Sequence, residues 1–574
     1  MGKRVAVVGS GLAGLATAHM LRHGGCDVEL FEKADSVGMD AASLTVDGVR
    51  IDVPFRVVTP DYYPCLVRLY QHLGIGLKAA DYSLGFTADG CGGGTSPLWS
   101  YTNAGQVPIP DEVSFGGERL ALTRDWVRLV YACMRIVRRP VLLRPDGALA
   151  ILTIGQYLRI HRYSRAFSDR VFLPFIASLL TCSLGAAADY PATTVLHLVA
   201  KVACGTHLRR AQNGVREVCD ALTRTLSTVH LSTTISEIVL SEPGDRAEAP
   251  VLLRTDDGRE YRFDHVVLAT PADTAVRLLR TVQAANYPPP ELDAALRSVP
   301  YEDAVVVTHR DTAAMPARRG DWRGVNIRSK PTADRVMGTL WINYVERGSS
   351  PQKTQLQSNV FQTVDPLVEL DRSKIIGESR FRRSLVTLDS QVRIDDVHRF
   401  QGVRNIWFVG AYVAPGVPLL EGCVRSAVDV ARALVATGCL PFDAPRLLRS
   451  APGRPRYEVG LAPAMKRGEA VAAYFECEAA RPFACHTLLP TATGLLRRLR
   501  TYAMWAAFTV LLPVLFAVLD AVDAVSRALL GPDLAHRLQT AALDGVVFAV
   551  CLTLAAYKHL HRYFQRSDAK LNGS

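Results

Sequence analysis

The chain opens on an unbroken apolar run, Val5 to Val8, followed by a glycine-rich turn and then by apolar positions at helical spacing through "LAGLATAHML". A short continuous apolar run is the pattern of a strand covered on both faces, and the period that follows is that of a helix packed along one side. Strand, turn and helix therefore succeed one another between Val5 and Gly25, and "VELFEK", Val28 to Lys33, adds a second strand ending in an acid. Further on, "DWVRLVYACMRIVRR", Asp125 to Arg139, reads as a helix with Arg128, Arg135 and Arg139 along one face. That stripe suits either a solvated face or a helix docked on an anionic membrane. An apolar strand runs through "YEDAVVVTHRD" and ends in the polar group His309, Arg310 and Asp311, read as a hinge ion pair or as catalytic side chains.

The pattern changes near the C-terminus. "TYAMWAAFTVLLPVLFAVL", Thr501 to Leu519, carries no charge over about the length of a bilayer core, and "AALDGVVFAVCLTLAAY", Ala541 to Tyr557, is a shorter second candidate. Asp520, Asp523 and Asp544 are costly near hydrocarbon, so two buried helices, or a hairpin lying in the interface, remain the alternatives. Arg497, Arg498 and Arg500 precede the pair and Lys558, Arg562, Arg566 and Lys570 follow it, against Arg527 and Arg537 between. Positive flanks face the cytosol, so the expectation is a membrane protein whose main body is cytosolic. "MGKRVAVVG" shows no apolar signal-peptide core.

Composition sharpens this picture. The 574 residues, 49% hydrophobic and 21% charged with 42 Gly and 32 Pro, describe a folded chain long enough for two lobes and an appendage. More than half of the net charge of +11 falls between Arg446 and Arg500, where ten Lys and Arg stand against four Glu. No aromatic-basic interleaving accompanies that stretch, so nucleic acid is not expected as a partner and a membrane is. The 12 Cys are scattered with no C-x-x-C pair and no Cys/His cluster at zinc spacing, so no metal site is expected. "APGRPRYEVGLAP", Ala451 to Pro463, has linker composition.

In the opening motif each glycine has a task. Gly9 permits the tight turn, Gly11 lets the backbone approach a pyrophosphate, and Gly14 lets helix and strand pack closely. The helix N-terminus then offers unpaired N–H groups and a partial positive charge to the phosphates. Glu32, at the end of the second strand, is placed to accept both ribose hydroxyl protons of an adenosine. Ser10, Ala13 and Lys33 complete this candidate contact set.

With these residues the sequence resembles the flavin-containing amine oxidase and phytoene desaturase superfamily. "VHLSTTISEIVL" with "FDHVVLATPADTA" is similar to the second FAD segment of that group, which implies that Ile235 meets the adenine through its backbone. "NIWFVGAYVAPGVPLLEGCVRSAVDVARAL" is similar to the third, which implies Gly410 and Ala411 at the pyrophosphate and Leu420 to Gly422, Glu421 included, opening a helix toward the flavin. "IDVPFRVV", "TIGQYLRIHRYSRAFSDRVFLPFIASL" and "WFVGAY" resemble the flavoprotein branch related to the domain preceding plant cyclopropane fatty-acid synthases. The resemblance implies an α/β fold, with a Rossmann-type FAD-binding lobe interleaved with an α+β substrate lobe and extended here by a C-terminal membrane-associated helical hairpin. The FAD-binding lobe is assigned to residues 1–60, 205–275 and 401–440, and the substrate lobe to 61–204 and 276–400. Residues 441–496 are assigned to a basic linker and 497–574 to the hairpin and tail.

Departures from the family pattern bear on the chemistry. Met39 and Asp40 follow Gly38 where relatives carry a glycine and an arginine, Pro54 precedes Phe55 where a glycine is common, and Ala411 stands where many place an acid. The lysine that many amine oxidases hold near the flavin has no counterpart, since Glu302 and Asp303 occupy that region. Arg56, Tyr412 and Glu421 are the candidates for groups near the ring, each with a bland alternative: a surface cation, a packing aromatic and a capping acid. Cys423 reads as a small buried thiol. Only one glycine-rich turn of this kind is visible, so no dedicated nicotinamide domain is expected. The expected activity is FAD-dependent dehydrogenation, desaturation or isomerisation of an apolar, lipid substrate. The rivals are an amine oxidase producing hydrogen peroxide and a flavin-binding scaffold without catalysis.

Overall fold

A computed structural model of the chain describes residues 2–442, apart from residues 39–41, 81, 89–98, 103–108, 111–116, 139, 144–146, 148, 204–207, 241–249, 284–286, 348–355 and 436–439, together with the single residues 521, 542 and 545. At its centre is a five-stranded sheet in the order Thr228–His230, Asp27–Phe31, Arg4–Val8, His265–Leu268, Ile406–Phe408. Every neighbouring pair in it is parallel. The continuous apolar run at the start of the chain follows from this position. Val5 and Val7 face one core, built with helices Leu12–His23 and Leu420–Leu434, while Ala6 and Val8 face a second. The second core includes the three-stranded sheet Ile235–Leu240, Val251–Thr255, Glu260–Phe263 and the helix Ala272–Leu279. Alternate side chains of a strand point to opposite faces, so a strand between two cores has no polar position to spare.

A mixed eight-stranded sheet forms the other main layer, in the order Ile375–Ser384, Tyr301–His309, Phe361–Val364, Val336–Trp341, Val325–Ser329, Leu84–Ala88, Trp99–Thr102, Ile109–Pro110. Helix Leu173–Leu180 lies against its middle strands. Gly338 makes room for it, because a Cβ there would stand 2.4 Å from Ser178 Oγ.

One expectation from the pattern of apolar and basic positions changes here. Helix Gly117–Arg138 forms, but Arg128 is not offered to a membrane. Its guanidinium donates to the His161 carbonyl at 2.6 Å and to Asp125 at 3.2 Å and lies 4.8 Å from the Tyr163 ring, a fold-back that a long Arg side chain allows. Among the described residues no helix is long and apolar enough to cross a membrane. Thr501–Leu519, Ala541–Tyr557 apart from residues 542 and 545, the basic linker from residue 443 on, Met39 and Asp40 lie outside the described residues.

Candidate cofactor and active site

The opening turn is built as its glycines require. Gly9 has φ +103°, its N–H donates to the Phe31 carbonyl at 2.8 Å, and a Cβ on it would meet the Ala269 carbonyl oxygen at 2.7 Å. Three strand ends thus converge on one residue that tolerates neither a side chain nor a negative φ. A Cβ on Gly14 would sit 1.9 Å from the Gly9 oxygen, so the helix can approach the turn only because that atom is missing. Gly11 differs: a Cβ there would meet nothing within 4 Å. It is the N-cap of helix Leu12–His23 and supplies no side-chain cap, so it offers no acceptor to the first-turn N–H groups.

Glu32 is held from three sides. Its Oε2 accepts from Ser10 N at 2.9 Å and from Ser10 Oγ at 2.5 Å, and its Oε1 accepts from Ala34 N at 2.9 Å. Ser10 Oγ in turn accepts from Gly38 N at 2.8 Å. A carboxylate has about four acceptor positions; with three used, Glu32 has room for one ribose hydroxyl rather than the two expected. Its other task is to fix the turn. Lys33 is exposed to solvent. The chain returns to this edge at Ser232 and Thr233, whose N–H groups donate to Ala34 O and Glu32 O at 2.8 and 2.9 Å. Ile235 follows, buried at the start of its strand, with its side chain in the second core.

The opposite wall comes from the C-terminal segment. Gly410 has φ +154°, its N–H donates to Ser426 Oγ at 3.0 Å, and a Cβ on it would strike the Tyr412 ring at 2.9 Å. Helix Leu420–Leu434 starts without a side-chain cap, and Gly422 brings it against the Ala411 backbone, where a Cβ would come to 3.1 Å. The Cys423 sulfur meets the N–H groups of Ala411 and Ala13, so the two uncapped helix N-termini converge there. Burial pushes this thiol up to about 11, which leaves it protonated and unreactive. The hydroxyls of Thr270 and Tyr412, beside the turns at Ala269 and Gly410, are buried with no hydrogen-bond partner among the described residues. Open space over Gly11, two uncapped helix N-termini and these orphaned hydroxyls fit a bound dinucleotide.

The three catalytic candidates part company. Glu421 is buried, and its carboxylate accepts from Cys65 N and Leu66 N, at 3.1 Å each, at the start of helix Pro64–His72. It is a clamp between two helices, not an acid or base at the ring, and burial raises its pKa while those N–H groups oppose the shift. Tyr412 packs on the second core, and burial holds its phenol well above 10. It is a packing aromatic. Arg56 is the charged candidate that reaches the site: its charge acts on Cys423 and Tyr70. It also acts on Arg383, a residue that sequence reasoning missed.

Arg383 lies on strand Ile375–Ser384, where Arg380 and Arg382 are exposed and Phe381 and Arg383 point inward. That alternation is the signal that could have found it. Burial, reinforced by Arg56, lowers its guanidinium to about 10, and its Nε is buried with no partner among the described residues. Tyr190 acts on it, and Tyr190, Tyr62 and Tyr63 are buried, which keeps all three phenols neutral. His197, also missed, lies 5.6 Å from Tyr62 ring to ring and is lowered to about 3, mainly by burial.

The other polar groups singled out are structural. Glu302 accepts from Ser183 N and Oγ, both at 2.8 Å, and pairs with Arg335 at 3.0 Å, while Asp303 is exposed. Arg310 forms an ion pair with Asp47 at 2.9 Å. Asp311 accepts from Ala313 N and Asp371 N, and His309 is buried with Nε2 2.7 Å from Thr363 Oγ1.

The family model of flavin-containing amine oxidoreductases matches residues 12–435. The chain belongs to that family. It is an FAD-dependent oxidoreductase, and the cradle between Gly11 and Gly410 is where the cofactor fits. A zeta-carotene-forming phytoene desaturase of Myxococcus xanthus is 38% identical over 82 residues, 14% of this chain and 15% of the relative. The match thus spans about one seventh of that relative's length. Among solved structures, a putrescine oxidase with putrescine bound superposes with TM-score 0.53 at 17% identity, over 76% of this chain and 99% of that one. A fatty acid isomerase of P. acnes that produces CLA superposes with TM-score 0.51 at 15% identity, over 75% and 98%. At such identities the likeness is one of fold.

Proposed function

We propose that this enzyme dehydrogenates, desaturates or isomerises an apolar lipid that carries an acidic group. The observation that carries the reading is the pair Arg56 and Arg383, both half-buried, in which the charge of Arg56 disfavours that of Arg383, with the phenol of Tyr190 acting on Arg383 and that of Tyr70 near Arg56. A protonated amine brought there would meet like charge. A carboxylate on an apolar chain would relieve the repulsion, satisfy the buried Arg383 Nε and leave its tail to the aromatic wall. The phytoene desaturase relative and the fatty acid isomerase of the same fold support an apolar substrate. FAD supplies the hydride acceptor. The residues of this chain bind the acid end, exclude water and hold the substrate against the cradle.

The enzyme is held at a membrane through residues 497–574, with its FAD-binding lobe on the cytosolic side. The basic collar at Arg497, Arg498 and Arg500 beside an uncharged 19-residue segment supports this. A tether of that kind shortens the path of a lipid from the bilayer.

The test compares a polyunsaturated fatty acid with its methyl ester in wild type and Arg383→Met. Loss of one charge-assisted contact, about 1.5–3 kcal/mol, should lower kcat/KM for the acid by about 10- to 100-fold and leave the ester little changed. An equal loss for both would remove the acid-binding role.

A further inference from the structure

Away from the cofactor cradle, three histidines come together that the spacing of Cys and His along the chain did not reveal. His19 and His23 stand four residues apart on helix Leu12–His23, hence on one face of it, and His72 ends helix Pro64–His72. One ring nitrogen of each lies within 4.8 Å of the others. The Nε2 atoms of His19 and His72 are 3.2 Å apart. We propose that His19, His23 and His72 form a binding site for a divalent transition metal of the imidazole-preferring kind, zinc, nickel or copper.

The geometry suits such an ion. Metal to imidazole bonds of about 2.0–2.1 Å in a tetrahedral site put ligand nitrogens about 3.3 Å apart, which is the spacing His19 and His72 already have. His23 is the exposed member, so its ring is free to swing the remaining distance. His19 is also oriented as a ligand should be. Its Nδ1 hydrogen-bonds to Thr225 Oγ1 at 3.3 Å and the ring bonds to the Leu222 backbone, which leaves Nε2 turned to His72. A histidine ligand commonly donates its other ring N–H in this way, which fixes tautomer and orientation. Three imidazoles with one open position suit zinc, nickel or copper better than calcium or magnesium, which take oxygen ligands.

The site lies at the far end of the helix from Gly11, with His19 and His23 about 12 and 18 Å along the axis by the rise per residue. An ion there does not touch the flavin chemistry. It joins the dinucleotide helix to helix Pro64–His72, whose other end is held by Glu421. The metal thus completes a two-point attachment of that helix.

The experiment titrates zinc alone into untagged, full-length holoprotein previously dialysed against a chelator, with a chromogenic chelator as competitor. One saturable equivalent per chain is expected, with the visible flavin spectrum unchanged. His23→Ala, at an exposed position, should abolish that equivalent while flavin content and thermal midpoint without metal stay at wild-type values. His72→Ala should do the same, and Thr225→Val should weaken binding about 10-fold through the lost orientation of His19. No saturable equivalent, or one that survives both His23→Ala and His72→Ala, would overturn the proposal.

Discussion

Replacing Glu421 separates a structural carboxylate from a catalytic one. In Glu421→Ala the N–H groups of Cys65 and Leu66 lose their buried acceptor. A buried donor left without a partner costs about 1–3 kcal/mol, so two such donors set the loss at about 2–6 kcal/mol, at the lower end because the desolvated charge goes too. In Glu421→Gln one oxygen remains, and in the wild type Oε2 alone already serves both donors at 3.1 Å. The amide therefore keeps both bonds at neutral charge, for a cost of about 1 kcal/mol or less. The assay is urea denaturation of the flavin-loaded protein followed by flavin fluorescence, with turnover measured on the same samples. Alanine should lower the midpoint clearly, and glutamine should keep both midpoint and turnover within a few fold of wild type. A glutamine variant of unchanged stability whose turnover falls a hundredfold or more would refute the clamp and restore Glu421 as an acid or base.

Further outcomes follow from the same geometry. Gly11→Val places a side chain in open space, so the apoprotein should unfold at the wild-type temperature while flavin occupancy falls; Gly14→Val, which strikes the Gly9 oxygen, should instead lower expression and stability. Burial holds His309 near 4 against an ordinary 6.5, so the native state binds its proton less readily than the unfolded one. That contribution is complete above pH 6.5 and is lost as pH falls toward about 4, at up to about 1.4 kcal/mol per unit; a His309→Gln variant should show a flatter urea-midpoint profile across that window. Removing residues after Leu496 should give a soluble, flavin-loaded chain, whereas the full-length chain should pellet with membranes after carbonate washing. Full-length protein that stays soluble without detergent would argue against the tether.

What could be read in advance was local, and what could not was distant. Val5 to Val8 announced a strand covered on both faces because an uninterrupted apolar run has few other homes. Gly9, Gly11 and Gly14 could be given roles because the turn they build is contiguous in sequence. Glu32 was read correctly as the acid at the end of the second strand, but the hydroxyl of Ser10, 22 residues away, occupies acceptor capacity that the reading gave to ribose. Glu421 could be read as a capping acid, but not which helix it caps, since its partners lie 355 and 356 positions earlier. No periodicity links His72 to His19, 53 residues away. Arg383 was within reach, because strand alternation turns it inward beside Phe381, yet a basic run invites the solvated reading. Arg128 shows the opposite error: its stripe suggested a free face, and the length of its side chain let it fold back onto the His161 carbonyl.

The central claim, an acidic apolar substrate oxidised at this cradle, is tested most directly by anaerobic mixing of the flavin-loaded, full-length enzyme with single compounds while the visible flavin absorbance is followed. Long-chain lipid acids should interact with the oxidised flavin and be dehydrogenated with bleaching, or isomerised without net bleaching and detected as rearranged product. Putrescine and cyclohexylamine should do neither. Bleaching by those amines, with peroxide formed once air is admitted and no conversion of any lipid acid, would contradict the account.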